Sequence, residues 1–170
     1  MAQEYRIAVI RYIVGKLRDV GKIRIQKLVY FLQWIFKVPF GYDYRMYHYG
    51  PYSDELNDDL IVMQLNKQVR VEADPSGYGY HIFPGSEAVT TRDDILEKYS
   101  SQIDKCLEAF GKFEPNQLEV LATLHFVKDI AGVSDKSKVI EKTAMLKPIF
   151  SKQLIEEAYR ELENIRSSVS

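Results

Sequence analysis

Cysteine is nearly absent from this chain, and that absence excludes several protein classes at the outset. Cys106 is the only one in 170 residues, so no intrachain disulfide can form and no zinc site can rest on thiolates. Its place between Lys105 and Leu107 in a helical pattern reads as a buried thiol rather than a nucleophile. Histidine is scarce too. His48, His81 and His125 are the three present, and none belongs to an HExxH pair or another close ligand spacing. There is no Walker A loop and no GxGxxG; Gly77 and Gly79 read as hairpin glycines. Asp58 and Asp59 are adjacent, and adjacent helical positions point about 100° apart, which is wrong for a carboxylate dyad. No catalytic residue, metal ligand or cofactor is therefore expected. Net charge is also small, −1, which argues against nucleic-acid binding through bulk charge. Long apolar runs are missing: the opening MAQEYRIAVIRYIVGKLRDVG carries Glu4, Arg6 and Arg11 among its apolar residues, unlike a signal peptide or a membrane span. The default expectation is a reducing cytoplasm.

What is present is hydrophobic periodicity. With 46% hydrophobic and 28% charged residues, the chain can build one domain with a proper core, or two small units sharing an interface. Ile7, Ile10, Ile13, Val14 and Leu17 predict a helix over about 3–18, with Gly21 as its stop. Ile25, Leu28, Val29, Leu32, Ile35 and Phe36 predict a second, about 24–36, widened by Phe31 and Trp34 and ended by Pro39 and Gly41. Residues 42–49 alternate, Tyr42, Tyr44, Met46 and His48 against Asp43, Arg45, Tyr47 and Tyr49, and predict a short extended segment. Gly50-Pro51 is read as the turn after it. Ser53 is a good N-cap, with Asp54 and Glu55 in the first turn where the helix dipole favours acid. That helix runs to about Asn66, with Leu56, Leu60, Met63 and Leu65 inward. VRVEADPSGYGYHIF (69–83) then reads as a β-hairpin around Asp74-Pro75-Ser76-Gly77.

Three helices followed by a hairpin is the order of a winged helix. The fold class expected is α+β, mostly α, with a winged-helix-like module over residues 1–90. A helical region over 91–170 packs on it as one unit. Its helices are predicted over 93–110, after Glu114-Pro115, over about 137–146, and after Pro148 and Ser151.

Two motifs carry a resemblance. IRIQKLVYFLQ (23–33) followed by YHYGPYSDELNDDL (47–60) and a hairpin resembles the YwgA-like proteins. More distantly it is similar to the Panacea (SocA-like) domain of phage-associated antitoxins. The resemblance covers roughly residues 5–85. It implies a regulatory or protein-neutralising module with a winged-helix-like core, and carries over no catalytic residues.

Function then turns on which surface works. In a helix-turn-helix reader the recognition helix meets bases and phosphates, yet the third helix here carries Asp54, Glu55, Asp58 and Asp59 before its first lysine, Lys67. Phosphate binding rests on cations and counterion release. Tyrosine is enriched at binding hot spots, so Tyr47, Tyr49 and Tyr52 with these four acids point to a protein partner of basic character. The expected function is a non-catalytic regulatory module, antitoxin-like or adaptor, that binds another protein. The alternative is a winged-helix transcriptional regulator, for which a homodimer would fit; its DNA surface would be Lys22, Arg24 and Lys27 with Lys136, Lys138, Lys142, Lys147 and Lys152. DNA is the less favoured partner and no membrane partner is expected. A purely structural assembly subunit is the third reading.

Overall fold

Eight consecutive buried residues, Ile25 to Leu32, mark the second helix as the centre of the protein. A helix buried on all sides must be wrapped, and the computed structural model, which describes residues 1–87 and 93–170, shows what wraps it. Helix α1 (Gln3–Leu17) leads through the two-residue strand β1 (Val20–Gly21) into α2 (Lys22–Trp34). A hairpin of β2 (Arg45–Tyr47) and β3 (Gly50–Tyr52) precedes α3 (Asp54–Leu65), and β4 (Val69–Ala73) and β5 (Tyr80–Pro84) follow. Helices α4 (Asp93–Phe110), α5 (Pro115–His125), α6 (Lys136–Leu146) and α7 (Lys152–Val169) complete the described chain, and a π-helical turn, Phe126–Ile130, continues α5. The fold is α+β with helices predominating. The boundary expected near residue 90 falls outside the described residues. Among these, no helix is long and apolar enough to cross a membrane.

Helix ends follow the local chemistry. Ser53, Asp135 and Ser151 cap α3, α6 and α7, each accepting a backbone N–H three residues on. Glu114 and Gln117 form a reciprocal capping box before Pro115 at the first position of α5, a residue that loses nothing there by lacking an N–H. The end of α1 differs from expectation. It stops at Leu17, with Arg18 taking a left-handed φ of 65° and its N–H closing on Val14 O; Gly21 lies in β1 instead. Leu65 is exposed, not inward, because the buried stripe of α3 is Leu56, Asp59, Leu60 and Met63.

The three-stranded antiparallel sheet has the order β1-β5-β4, with Val20 opposite Ile82 and Val71 opposite the same residue on the other side. The core continues from this half into α4 and α5. Phe31 of α2 stacks on Phe110 of α4 with ring centres 3.9 Å apart and planes 4° from parallel. Tyr30 shares a 2.7 Å hydrogen bond with His125 at the end of α5. The Cys106 thiol is buried against Leu28 O, and burial pushes its pKa well up.

His81 ties the tip of the β4–β5 hairpin to the α1–β1 turn. Its two ring nitrogens lie 2.7 Å from Asp19 and from Asp74. The hydrogen bonds to Asp19 and then Asp74 raise its pKa. Asp74 falls to about 2, chiefly through Ser76 and then His81. A histidine raised in the folded state stabilises fully below its ordinary value, about 6.5, and that contribution is lost as pH rises through the folded value. The His81 titration midpoint, followed by NMR, is expected above 6.5 and should drop in Asp74→Asn. A midpoint unmoved by the substitution would show that Asp74 does not hold the ring.

Candidate functional site

The β2–β3 hairpin arises from the alternation in residues 42–49. Of the residues expected on its inner side, Tyr42 is buried and Tyr44 and Met46 are half-buried, while His48 is exposed in the turn. The Tyr42 hydroxyl donates to Asp59 at 2.6 Å, and Gln33 brackets Tyr42 by bonding both its N–H and its carbonyl. The outer residues remain outside, Tyr47 at 43% and Tyr49 at 57% exposure. The turn differs from the expected one. Tyr47 pairs with Gly50, Met46 with Pro51 and Arg45 with Tyr52, so His48-Tyr49 is the two-residue turn and Gly50-Pro51 lies in β3. Gly50 adopts φ +87° and is packed so closely on α5 that a Cβ would meet Thr123 Oγ1 at 3.2 Å and Glu119 Cγ at 3.4 Å. Only glycine fits both demands easily.

On the outer side Arg45 organises a small polar and aromatic array. Its guanidinium lies 4.2 Å from the Tyr47 ring centre and 5.7 Å from that of Tyr52. It also grips Asp54 through two hydrogen bonds, 3.0 and 3.2 Å, which hold that carboxyl below its ordinary pKa. Both partners of this ion pair are exposed, so it orients the surface more than it stabilises the fold. Glu55 and Asp58 are exposed beside it.

Asp59 does not belong to this face. It is 1% exposed, and its oxygens accept hydrogen bonds from Gln3, Arg6 and Tyr42. Burial pushes its carboxyl up, but the bonds from Arg6, Tyr42 and Gln3 outweigh that and hold it below the usual value. It anchors α3 to α1, and no partner can reach it.

The expected cationic set is also divided. Lys27 is 1% exposed and donates to Pro51 O at 2.8 Å. Lys147 is buried, 2.8 Å from the buried Glu119, and also donates to the carbonyls of Tyr47 and His48. Neither can meet a phosphate backbone. Arg24 bonds Gly111 O, closing the end of α4, and Lys22 lies over the Tyr80 ring at 5.6 Å, so the basic start of α2 points three ways. Lys136, Lys138, Lys142 and Lys152 remain exposed. Lys136 sits over Tyr159 and Lys152 lies 3.9 Å from Glu156.

Beneath the hairpin is a cavity of about 150 Å³. Tyr47, Tyr52, Ile23 and Leu60 give it apolar walls, and Gln26, Lys27 and Asn57 supply polar groups. Burial, and secondarily Lys147, drive the Lys27 pKa down to about 7 against the opposing pull of Glu119. The walls are rigidly held: Gln26 makes two 2.9 Å hydrogen bonds to the backbone of Ser53, and Lys147 pins the hairpin turn. A larger cleft of about 540 Å³ lies between Trp34, His125 and Arg166, with His125 facing Asp129 at 3.7 Å; burial lowers that histidine's pKa. Among the described residues, no three or more His, Cys, Asp or Glu side chains come together to hold a metal ion.

One exposed feature was not foreseen. Met145 (75%) and Ile149 (85%) stand out in solvent with Leu146, on either side of buried Lys147. Because Lys147 bonds the carbonyls of Tyr47 and His48, this turn abuts the hairpin turn. The available signal was the run AMLKPIF (144–150), which is more apolar than the end of an exposed helix and the turn after it require.

The surface these elements define is aromatic and acidic, with an apolar turn at its border. No family model matches the chain, and no curated protein matches it. The YwgA-like resemblance rests on its two motifs alone.

Proposed function

We propose that the chain is a non-catalytic regulatory module that acts by docking a protein partner on the β2–β3 hairpin and the start of α3. The observation that carries this reading is the pair of exposed tyrosines, Tyr47 and Tyr49, on a turn pinned from below by Lys147. Rigid aromatic side chains supply contact area at low entropic cost. Asp54, Glu55 and Asp58 border them and favour a basic partner, while Met145, Leu146 and Ile149 extend the apolar contact. The antitoxin-like or adaptor role agrees with the motif resemblance, and a lone buried thiol agrees with a reducing, cytoplasmic setting.

The alternative, a winged-helix DNA-binding regulator, draws support from one arrangement. Helices α1, α2 and α3 are followed by the β4–β5 hairpin, and β1 closes on β5, with β2–β3 inserted between α2 and α3. Against it, α3 remains acidic and two of the eight basic residues are buried.

A tagged pull-down from the host, with and without nuclease, tests both. A stoichiometric protein partner that survives nuclease is expected. Tyr47→Ser with Tyr49→Ser should weaken its capture by at least about tenfold, as loss of hot-spot side chains does, without lowering the melting temperature. Neutralising Asp54, Glu55 and Asp58 should act in the same direction. Recovery of DNA alone, with affinity falling steeply as salt rises, would transfer the function to the exposed lysines Lys136, Lys138, Lys142 and Lys152.

A further inference from the structure

The buried charges beneath the hairpin do not balance. Lys27 and Lys147 are both buried ammonium groups, and Glu119 is the carboxylate close to them. Lys147 takes that carboxylate at 2.8 Å. Among the described residues, Lys27 makes one hydrogen bond, to the neutral Pro51 carbonyl, although an ammonium has three donors. The remaining groups around it are His48, Tyr47, Tyr49 and Tyr52 of the hairpin and Lys22 of its own helix, and none is an anion. Two buried ammonium groups that share one carboxylate leave an excess positive charge, which is costly, and Lys27 lines a cavity.

We propose that this cavity is a binding site for an organic carboxylate, its anionic end on the Lys27 ammonium and its compact apolar body between Tyr47, Tyr52, Ile23 and Leu60. The ligand class follows from the donors and the size. Lys22 of the lining is turned to the Tyr80 ring, so the buried Lys27 ammonium among largely apolar walls matches a monoanion on a hydrocarbon or aromatic body. A phosphate would call for several converging donors or an arginine fork. The cavity, about 150 Å³, holds a ring or a short chain. The site is preorganised: the left-handed Gly50, the paired Gln26–Ser53 bonds and the Lys147 bonds to two hairpin carbonyls fix its walls without a ligand, which lowers the ordering penalty of binding. The Lys27 pKa near 7 fits the same picture. A bound carboxylate holds Lys27 protonated, so binding takes up a proton at neutral pH and weakens as pH rises above it. The site goes beyond the docking surface, although Tyr47, Tyr49 and Tyr52 belong to both.

NMR of the protein with isotope-labelled lysine side chains, titrated with sodium benzoate and with benzamide as its neutral isostere, tests the site. Benzoate is expected to shift the Lys27 resonance saturably, and benzamide to leave it in place. Benzoate affinity should fall toward about tenfold per pH unit once Lys27 is mostly neutral. Lys27→Met should abolish saturable binding. Ile23→Trp, which fills the slot and leaves the ammonium intact, should do the same if the first variant does not fold. A Lys27 signal that stays fixed up to tens of millimolar benzoate would overturn the site. So would equal binding of benzamide, or shifts confined to exposed lysines.

Discussion

Asp59→Ala is expected to destabilise the protein by about 3–5 kcal/mol, as removal of one member of a buried ion pair does. The carboxylate is buried, and Arg6, whose side chain is 19% exposed, bonds it at 2.8 Å. Gln3 and the Tyr42 hydroxyl occupy its other lone pairs. Truncation therefore leaves three donors facing a void, one of them a guanidinium stacked 5.0 Å from the Tyr42 ring. For a protein of this size, roughly 2–4 °C of melting temperature accompanies each kcal/mol, so the variant should melt far below the parent in a calorimetric or urea-unfolding comparison. Asp59→Asn keeps the shape and one acceptor and should fall between. If Asp59→Ala melts within about 1 kcal/mol of the parent, the pair behaves as an exposed salt bridge and the link from α1 to α3 has been misjudged. The contrast with its neighbours is the useful part. Neutralising Asp54, Glu55 and Asp58 should leave stability almost unchanged while weakening partner capture. Asp59→Ala should reduce capture only to the extent that it unfolds the protein.

Asp59 also shows where sequence reasoning ran out. It stands in a run of acids, and its neighbours at 54, 55 and 58 are solvated as expected. Its own environment is set by Arg6 and Tyr42, far away in the chain, and no local pattern encodes that meeting. Lys27 and Lys147 were counted with the surface because lysine is almost never fully buried unless paired; their partners, the Pro51 carbonyl and Glu119, come from another element in each case. The hairpin register failed for a similar reason. Gly50-Pro51 carries strong turn chemistry, but the close seat of Gly50 on Thr123 and Glu119 places it in a strand and moves the turn to His48-Tyr49. Local signals with a local cause were legible: the apolar period of α1 and α2, the caps Ser53 and Ser151, Pro115 at the start of α5, and the turn glycines 77 and 79. The tyrosine alternation was legible as well, which is why the outer ring pair of the candidate site was anticipated. The cavity behind it was not, since its walls come from α2, the hairpin and α3 together.

Glu119→Gln is expected to cost a comparable amount, about 3–5 kcal/mol, and its pH dependence separates charge from packing. The substitution keeps volume, so the cavity term is small. What it removes is the carboxylate that compensates Lys147 at 2.8 Å and offsets the burial of Lys27. Lys147 then has only the carbonyls of Tyr47 and His48, and Lys27 is driven further below its value of about 7. A lysine whose folded pKa lies below its unfolded value, about 10.4, penalises the folded state fully below the folded pKa. That penalty fades as pH rises toward the unfolded one, because the unfolded chain then holds the extra proton. The stability gap between Glu119→Gln and the parent should accordingly be widest in mildly acid solution and narrow as the pH is raised past neutral. Adding Lys147→Gln to Glu119→Gln should recover part of the loss, a positive coupling that a double-mutant cycle reads directly. A gap that stays constant with pH would assign the loss to packing beneath Gly50 rather than to charge. In that case Glu119 would not set the protonation of Lys27.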